Sequence, residues 1–174
     1  MMLELMLAAL ALTLALWTRP WRATPKAGLP WPWLAWWALM PLLWGADHHA
    51  HMPIVQPLSG ACLLTLMAGW PLAVLAMVPV ALITLGMTDM GLAEGLGRYV
   101  WLGLAPASLV FGLGAAIRRW LPHHLFVYIL GRGFFASVLA MAGAGGLAWL
   151  VHGAPAGTSA EDLMMGRWLS AWGD

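Results

Sequence analysis

The sequence has very little charge. Its 174 residues include only eight Lys or Arg and seven Asp or Glu, together 9% of the chain. A soluble domain carries about 25% charged residues, so these are too few to cover a water-exposed surface. Low charge combined with high hydrophobicity also excludes an intrinsically disordered chain. The net charge of +1 gives no indication of nucleic-acid binding, and the single cysteine, Cys62, excludes a disulfide framework and a thiolate zinc cluster.

Apolar residues and tryptophan are abundant instead. Hydrophobic residues make up 62% of the chain, and there are 13 Trp. Tryptophan is enriched where a membrane meets water, because its ring is apolar and its N–H is polar. The composition therefore predicts a small all-α, polytopic integral membrane protein in contact with membrane lipids.

The apolar runs predict one transmembrane domain, residues 1–174, with about six transmembrane helices. About 20 apolar residues cross a bilayer core. The run from Pro53 to Met87 is too long for one crossing, and Gly69-Trp70-Pro71 divides it, since Pro cannot continue a helix. The helix before this break is short and is predicted to be partly re-entrant. The predicted helices are about Leu3–Trp17, Leu29–Ala46, Val55–Ala68, Pro71–Thr88, Leu96–Ile117 and Pro122–Val151, the last broken by Gly143, Gly145 and Gly146.

The distribution of basic residues predicts the orientation. Cytoplasmic loops carry an excess of Lys and Arg, and placing the N-terminus and the His48–His51 segment outside puts most of the basic residues inside. The residues assigned to the inner side are Arg19, Arg22, Lys26, Arg118 and Arg119. Those assigned to the outer side are Glu4, Asp47, Asp89, Glu94, Glu161 and Asp162, with Arg98 and Arg167 as basic exceptions. Arg98 lies near a helix start, where a snorkelling side chain is expected.

The sharpest local motif is a cluster of three histidines. Asp47-His48-His49-Ala50-His51-Met52 follows the second predicted helix. Neutral imidazole is the commonest metal ligand, and it suits Zn, Cu, Ni and Co. Asp47 can attract a cation and orient a ligating imidazole. The alternative is a polar loop whose histidines face water. His152, at the end of a predicted helix on the same side, is a further candidate ligand.

Arg132 is the one basic residue predicted deep inside a transmembrane helix. It lies about ten residues into its span. An ionisable residue inside a membrane is costly and indicates a functional site. The expected partners of Arg132 are Glu94, Asp89 or backbone carbonyls.

Two stretches resemble a known family. Leu58–Trp70 is similar to HLLGATLLTLMFGW, and Leu121–Gly131 is similar to LPxHLFVYIFG. Both patterns occur in bacterial energy-coupling-factor permeases of the CbiM type, in their proteobacterial branch. Phe134-Phe135 and Leu139-Ala140 continue the similarity, and Thr88-Asp89 falls at a short acidic loop of the family. The resemblance covers about Val55–Val151.

The resemblance implies a non-catalytic, substrate-binding subunit in the bacterial inner membrane that takes up cobalt or nickel. Its implied partners are a transmembrane coupling subunit and the ATPase subunits that hydrolyse ATP. The metal is a transported substrate, and no permanently bound cofactor is implied. The family binds its metal through an N-terminal Met-His and a motif histidine, which are here Met1-Met2 and Pro57. Arg132 stands in place of a family Asn, and a final family helix is expected to be missing after Asp174.

Two interpretations from different classes remain open. In the first, His48, His49 and His51 replace the absent family ligands in a transition-metal uptake subunit. In the second, the protein is a membrane assembly or structural protein that kept the fold and lost metal binding. A third and weaker interpretation is a redox or haem-binding membrane subunit. Metal binding separates the first two, and a visible chromophore would identify the third.

Overall fold

The structure, a computed structural model, describes residues 1–22, 31–50, 57–120, 128–153 and 165, and in this part every regular element is helical. The predicted all-α class is confirmed for these residues. A short 3₁₀ turn, Pro20–Arg22, follows the first helix, and two π-helical segments are Tyr99–Leu104 and Tyr128–Phe135. The α-helices are α1 Met2–Trp17, α2 Trp31–Trp44, α3 Ala46–Ala50, α4 Ala61–Ala68, α5 Trp70–Met87, α6 Leu92–Arg98, α7 Ala105–Trp120 and α8 Ala136–His152.

Three helices of the described residues are long and apolar enough to cross a membrane. They are Trp70–Met87, Leu92–Arg119 and Gly133–His152, with mean hydropathies of 2.0, 1.9 and 1.9. The chain is therefore a membrane protein by the length and composition of its helices. Met2–Trp17 is a shorter apolar helix. The total of six crossings stays a prediction.

The chain before α4 is not helical where the sequence predicted a helix. Pro57–Gly60 is irregular, and α4 begins at Ala61 rather than at Val55. Its eight residues rise only about 12 Å, too little to cross a bilayer. Two indoles of α2 satisfy the irregular backbone, since the Nε1 atoms of Trp36 and Trp44 donate to the carbonyls of Gly60 and Ser59 at 2.9 and 2.7 Å.

The predicted break at Gly69-Trp70-Pro71 is present. α4 ends at Ala68, α5 begins at Trp70, and Gly69 between them has φ +84°. Glycine tolerates a positive φ because it has no Cβ. Pro71 stands in the first turn of α5, where a missing N–H costs nothing. Local sequence chemistry alone therefore determines this boundary.

α6, the first π-helical segment and α7 follow one another without a break from Leu92 to Trp120. The helix starts four residues before the predicted Leu96, because the amides of Glu94 and Gly95 both donate to the carbonyl of Gly91 at 3.0 Å. This early start places Glu94 and Arg98 four residues apart on one helical face.

The predicted break of the last helix at its glycines is wrong. α8 runs from Ala136 to His152 through Gly143, Gly145 and Gly146, and it ends at Gly153, where φ is +75°. Gly143 faces α7, since a Cβ there would lie 3.3 Å from Leu109. Gly143 therefore allows close packing of α8 on α7, as small residues do in membranes.

Tight packing around Trp44 fixes α2 against the first π-helical segment. The Trp44 side chain is fully buried, together with Met40 and Met77. A Cβ on Gly103 would lie 2.9 Å from the Trp44 ring, so only glycine fits there without a shift. This contact brings the end of α2, and with it Asp47 in α3, next to Arg98.

Candidate functional site

A cavity of about 460 Å³ lies where α1, α6, the first π-helical segment and α8 meet. Its size is in the range of small-molecule sites. Five polar or aromatic side chains that line it carry the chemistry: Glu4, Glu94, Arg98, Trp101 and His152. They come from segments up to 148 residues apart, so the fold and not local sequence assembles them.

Arg98 is the most heavily bonded side chain at this cavity. Its Nη1 and Nη2 atoms donate to Oδ1 and Oδ2 of Asp47 at 2.8 and 2.5 Å. Nη2 also donates to Oε1 of Glu94 at 3.0 Å, and Nη1 donates to the carbonyl of Trp44. The side chain is only 11% exposed. The expectation that Arg98 snorkels is therefore wrong, because two carboxylates hold its head group in place.

Asp47 is an ion-pair partner as well as a neighbour of histidine. Its Oδ1 lies 3.3 Å from Nδ1 of His48. Burial alone would raise the pKa of Asp47, but the hydrogen bonds and charge of Arg98, followed by those of His48, lower this pKa from 3.8 to about 2. Asp47 is therefore ionised at neutral pH, and Arg98 already compensates its charge.

Glu4 is the centre of a second group of polar contacts in the same cavity. Its residue is 5% exposed, its Oε1 accepts a hydrogen bond from Trp101 Nε1 at 3.2 Å, and His152 Nε2 lies 3.0 Å from the same oxygen. The Met1 amino group lies 3.0 Å from Oε2. The Trp101 and His152 rings meet edge to face, with centroids 5.5 Å apart. This arrangement binds the start of α1 to the end of α8.

His152 bridges two acceptors. Its Nδ1 lies 3.1 Å from the carbonyl oxygen of Ala148, and its Nε2 faces Glu4. A neutral imidazole carries one N–H, so it can donate to only one of these oxygens. The side chain is half exposed. His152 therefore presents an imidazole to a cavity whose most buried carboxylate is Glu4.

The predicted metal ligands are only partly within the described residues. His48 and His152 both lie at this end of the molecule, and both contact a carboxylate. The side chain of His49 and the whole of His51 lie outside the described residues. Within the part of the chain that the structure describes, no three His, Cys, Asp or Glu side chains form a group that could hold a metal ion. The three-histidine site stays a prediction.

Arg132 lies in the second π-helical segment, Tyr128–Phe135, which directly precedes α8. Its side chain lies outside the described residues. Glu94, one of its expected partners, forms an ion pair with Arg98. Segments of π-helix are rare and often occur at functional sites. The functional role of Arg132 stays a prediction.

Sequence reasoning missed four members of the cavity: Glu4, Glu94, Arg98 and Trp101. Glu4 is the one acid in an apolar helix, and an ionisable residue in such a helix is itself a functional signal. Glu94 precedes Arg98 by four residues, which is the favourable order for a helical ion pair. Trp101 carried no local signal, because it is one of 13 tryptophans.

Comparison with known proteins adds no relative to these observations. No family model, no curated protein sequence and no solved structure matches the chain.

Proposed function

We propose that this protein is an integral membrane, substrate-binding subunit of an energy-coupling-factor transporter that takes up a transition-metal ion of the cobalt and nickel class. The observation that carries the proposal is the convergence of two carboxylate–imidazole pairs on one end of the bundle. Asp47 contacts His48, and Glu4 contacts His152 at the cavity. Carboxylate and imidazole groups are the ligands that such ions take from proteins.

The charge of this end of the molecule favours a cation. Three carboxylates, those of Glu4, Asp47 and Glu94, stand against the guanidinium of Arg98 and the Met1 amino group. With neutral histidines the sum is one negative charge. A cavity with apolar walls concentrates the electric field of this negative charge, because low-dielectric walls screen charge poorly. A cation is therefore drawn toward the Glu94 side of the cavity.

The partners and the membrane follow from the sequence resemblance. Leu58–Trp70 and Leu121–Gly131 resemble permeases that work with a transmembrane coupling subunit and ATPase subunits. In this proposal the protein itself performs no catalysis, and it lies in the bacterial inner membrane with the cavity outside. The metal is its substrate and not a resident cofactor.

Metal binding to the detergent-purified protein tests the proposal. Isothermal titration of Ni²⁺ and Co²⁺ should give one site in the parent. Binding should be at least about tenfold weaker, about 1.4 kcal/mol, in a His48→Ala/His152→Ala variant. His123-His124 follows the basic pair Arg118-Arg119, which is predicted to lie inside. His123→Ala/His124→Ala is therefore the matched control, since it removes two imidazoles from the predicted inner side and should bind like the parent. Absence of binding to the parent would contradict the proposal.

One observation favours the second function, a membrane assembly or structural protein without metal binding. Arg98 already occupies the carboxylates of Asp47 and Glu94, so a protein without a metal would still have a compensated polar cluster. This function predicts no metal uptake into the purified protein. It also predicts unchanged binding, namely none, in every histidine variant.

A further inference from the structure

A second cavity, of about 600 Å³, lies at the opposite end of α1 from Glu4. It is formed by the end of α1, the first turn of α5 and the middle of α7. Its lining residues are Leu14, Trp17, Thr18, Trp70, Pro71 and Phe111. Trp17 is 82% exposed and Phe111 is 54% exposed. The cavity is therefore a groove, the α1–α5–α7 groove, that opens on the surface of the helix bundle.

The walls of the α1–α5–α7 groove offer few groups for hydrogen bonding. Trp70 Nε1 donates to Oγ of Ser108 at 3.1 Å, and the Thr18 hydroxyl donates to the carbonyl of Ala15 at 2.7 Å. The rest of the lining is aliphatic or aromatic, with the Trp17 indole at the exposed edge. The groove therefore suits a hydrocarbon chain better than a ligand that needs several hydrogen bonds.

The α1–α5–α7 groove lies where apolar helices begin and end. Trp70 is the first residue of α5, which is long and apolar enough to cross a membrane, and Trp17 is the last residue of α1. Tryptophan is enriched where membrane hydrocarbon meets the lipid headgroups. A hydrocarbon chain in the groove therefore has the polar end of its molecule near Arg19, which directly follows Thr18.

Arg19 places a positive charge beside the groove. Its side chain is exposed, and no carboxylate of the described residues forms an ion pair with it. The described carboxylates all lie toward the opposite ends of α1 and α5, and they are those of Glu4, Asp47, Asp89 and Glu94. A guanidinium binds a phosphate through paired N–H groups. The charge at this end therefore complements an anionic phosphate headgroup.

We propose that the α1–α5–α7 groove binds an acyl chain of an anionic glycerophospholipid, whose phosphate pairs with Arg19. Lipid hydrocarbon is as apolar as the groove, so the acyl chain alone distinguishes poorly between lipids. The headgroup contact with Arg19 sets the preference. The sequence predicts Arg19 on the cytoplasmic side, where anionic lipids attract Lys and Arg near the membrane surface. This inference goes beyond the proposed function and does not depend on a transported ion.

Native mass spectrometry of the detergent-purified protein tests the headgroup contact. The probes are phosphatidylglycerol and phosphatidylcholine with the same acyl chains. The parent should retain one phosphatidylglycerol, bound more tightly than phosphatidylcholine. Arg19→Gln should bind phosphatidylglycerol about fivefold more weakly, about 1 kcal/mol, and should lose the preference for it. Arg119→Gln is the matched control and should bind like the parent, because it removes an exposed basic side chain that does not line the groove.

A second pair of variants tests the groove itself. Leu14→Trp places a larger side chain in the groove and should weaken the binding of both lipids. Leu10→Trp is the matched control, since Leu10 is 59% exposed one turn earlier on α1 and does not line the groove. It should bind both lipids like the parent. Glycerol phosphate has the anionic headgroup without an acyl chain, and it should not displace the bound lipid.

Several outcomes would overturn the inference. Equal affinity of the parent for the two lipids, or unchanged phosphatidylglycerol binding in Arg19→Gln, contradicts the charge contact. A dimer that Leu14→Trp disrupts, in place of a lipid-bound monomer, would make the groove an interface between copies. Arg19→Gly decides if Arg19→Gln does not fold, because Arg19 has φ +48°, where glycine is favoured. Arg19→Gly should melt no lower than the parent and should also lose the preference, and retention of the preference refutes the role of Arg19.

Discussion

Arg98 and Asp47 form a two-pronged ion pair across 51 residues of sequence, with Nη1–Oδ1 and Nη2–Oδ2 distances of 2.8 and 2.5 Å. The pair joins α3 to the start of the long helix that begins at Leu92. Paired N–H groups on a carboxylate are among the strongest protein hydrogen bonds, because both partners are charged. The pair therefore stabilises the wall of the cavity as well as controlling its charge.

Loss of the Asp47 charge should destabilise the protein more than loss of the Glu94 charge. Asp47 is 22% exposed and accepts two bonds from Arg98, whereas Glu94 is 48% exposed and accepts one. Asp47→Asn should lower the free energy of unfolding by about 1–3 kcal/mol. Glu94→Gln should cost less than about 1 kcal/mol, because solvent screens exposed pairs. Thermal unfolding in detergent compares the two, and equal effects would contradict the assigned roles.

The Asp47 carboxylate should make the free energy of unfolding depend on pH in the acid range. Because folding lowers the pKa of Asp47 from 3.8 to about 2, its contribution is fully present above pH 3.8. This contribution to the free energy of unfolding amounts to about 2 kcal/mol, and it is lost as the pH falls toward 2. Unfolding measured with a chelator present should therefore show this loss as the pH falls from about 3.8 through about 2. Asp47→Asn should lack this component, and an identical pH profile in the variant would refute it.

Local chemistry was enough to predict part of this fold. Apolar composition indicated membrane helices, and the glycine and proline around Trp70 located a helix boundary. The residues Glu4, Asp47, Glu94 and Arg98, which charge distribution assigned to one side, do lie together at one end. Such features depend on residues that are near neighbours or on a bulk property of the chain.

The features that sequence missed are those that depend on distant partners. Pro57–Gly60 stays irregular because the indoles of Trp36 and Trp44 satisfy its carbonyls. Arg98 is only 11% exposed because Asp47, far away in sequence, neutralises its charge. The glycines of α8 do not break the helix, and one of them, Gly143, packs on Leu109 of α7. None of these relationships can be read from a local pattern.

Gly103 should tolerate no side chain. A Cβ there would lie 2.9 Å from the Trp44 ring and 3.1 Å from the Met77 sulfur. Gly103→Ala should therefore cost about 1–3 kcal/mol through overpacking, and it should loosen the contact that places Asp47 beside Arg98. Gly112→Ala is the matched control, because a Cβ at Gly112 would meet nothing within 4 Å. It should be neutral or stabilising by up to about 1 kcal/mol, since alanine favours a helix over glycine. Similar melting temperatures for the two variants would contradict the close packing.

The orientation in the membrane can be tested at two positions. The positive-inside rule places Ala50 outside and Arg119 inside. Cys62 is buried, and its replacement by alanine gives a background free of other thiols. In that background, Ala50→Cys should react with a membrane-impermeant maleimide added to intact cells. Arg119→Cys should react only after the membrane is opened, because Arg118 and Arg119 end α7 as a basic pair that resists translocation. Reaction of both positions in intact cells would refute the predicted inner position of Arg119, whereas failure of Ala50→Cys to react in intact cells would place Asp47 and His48 on the inner side.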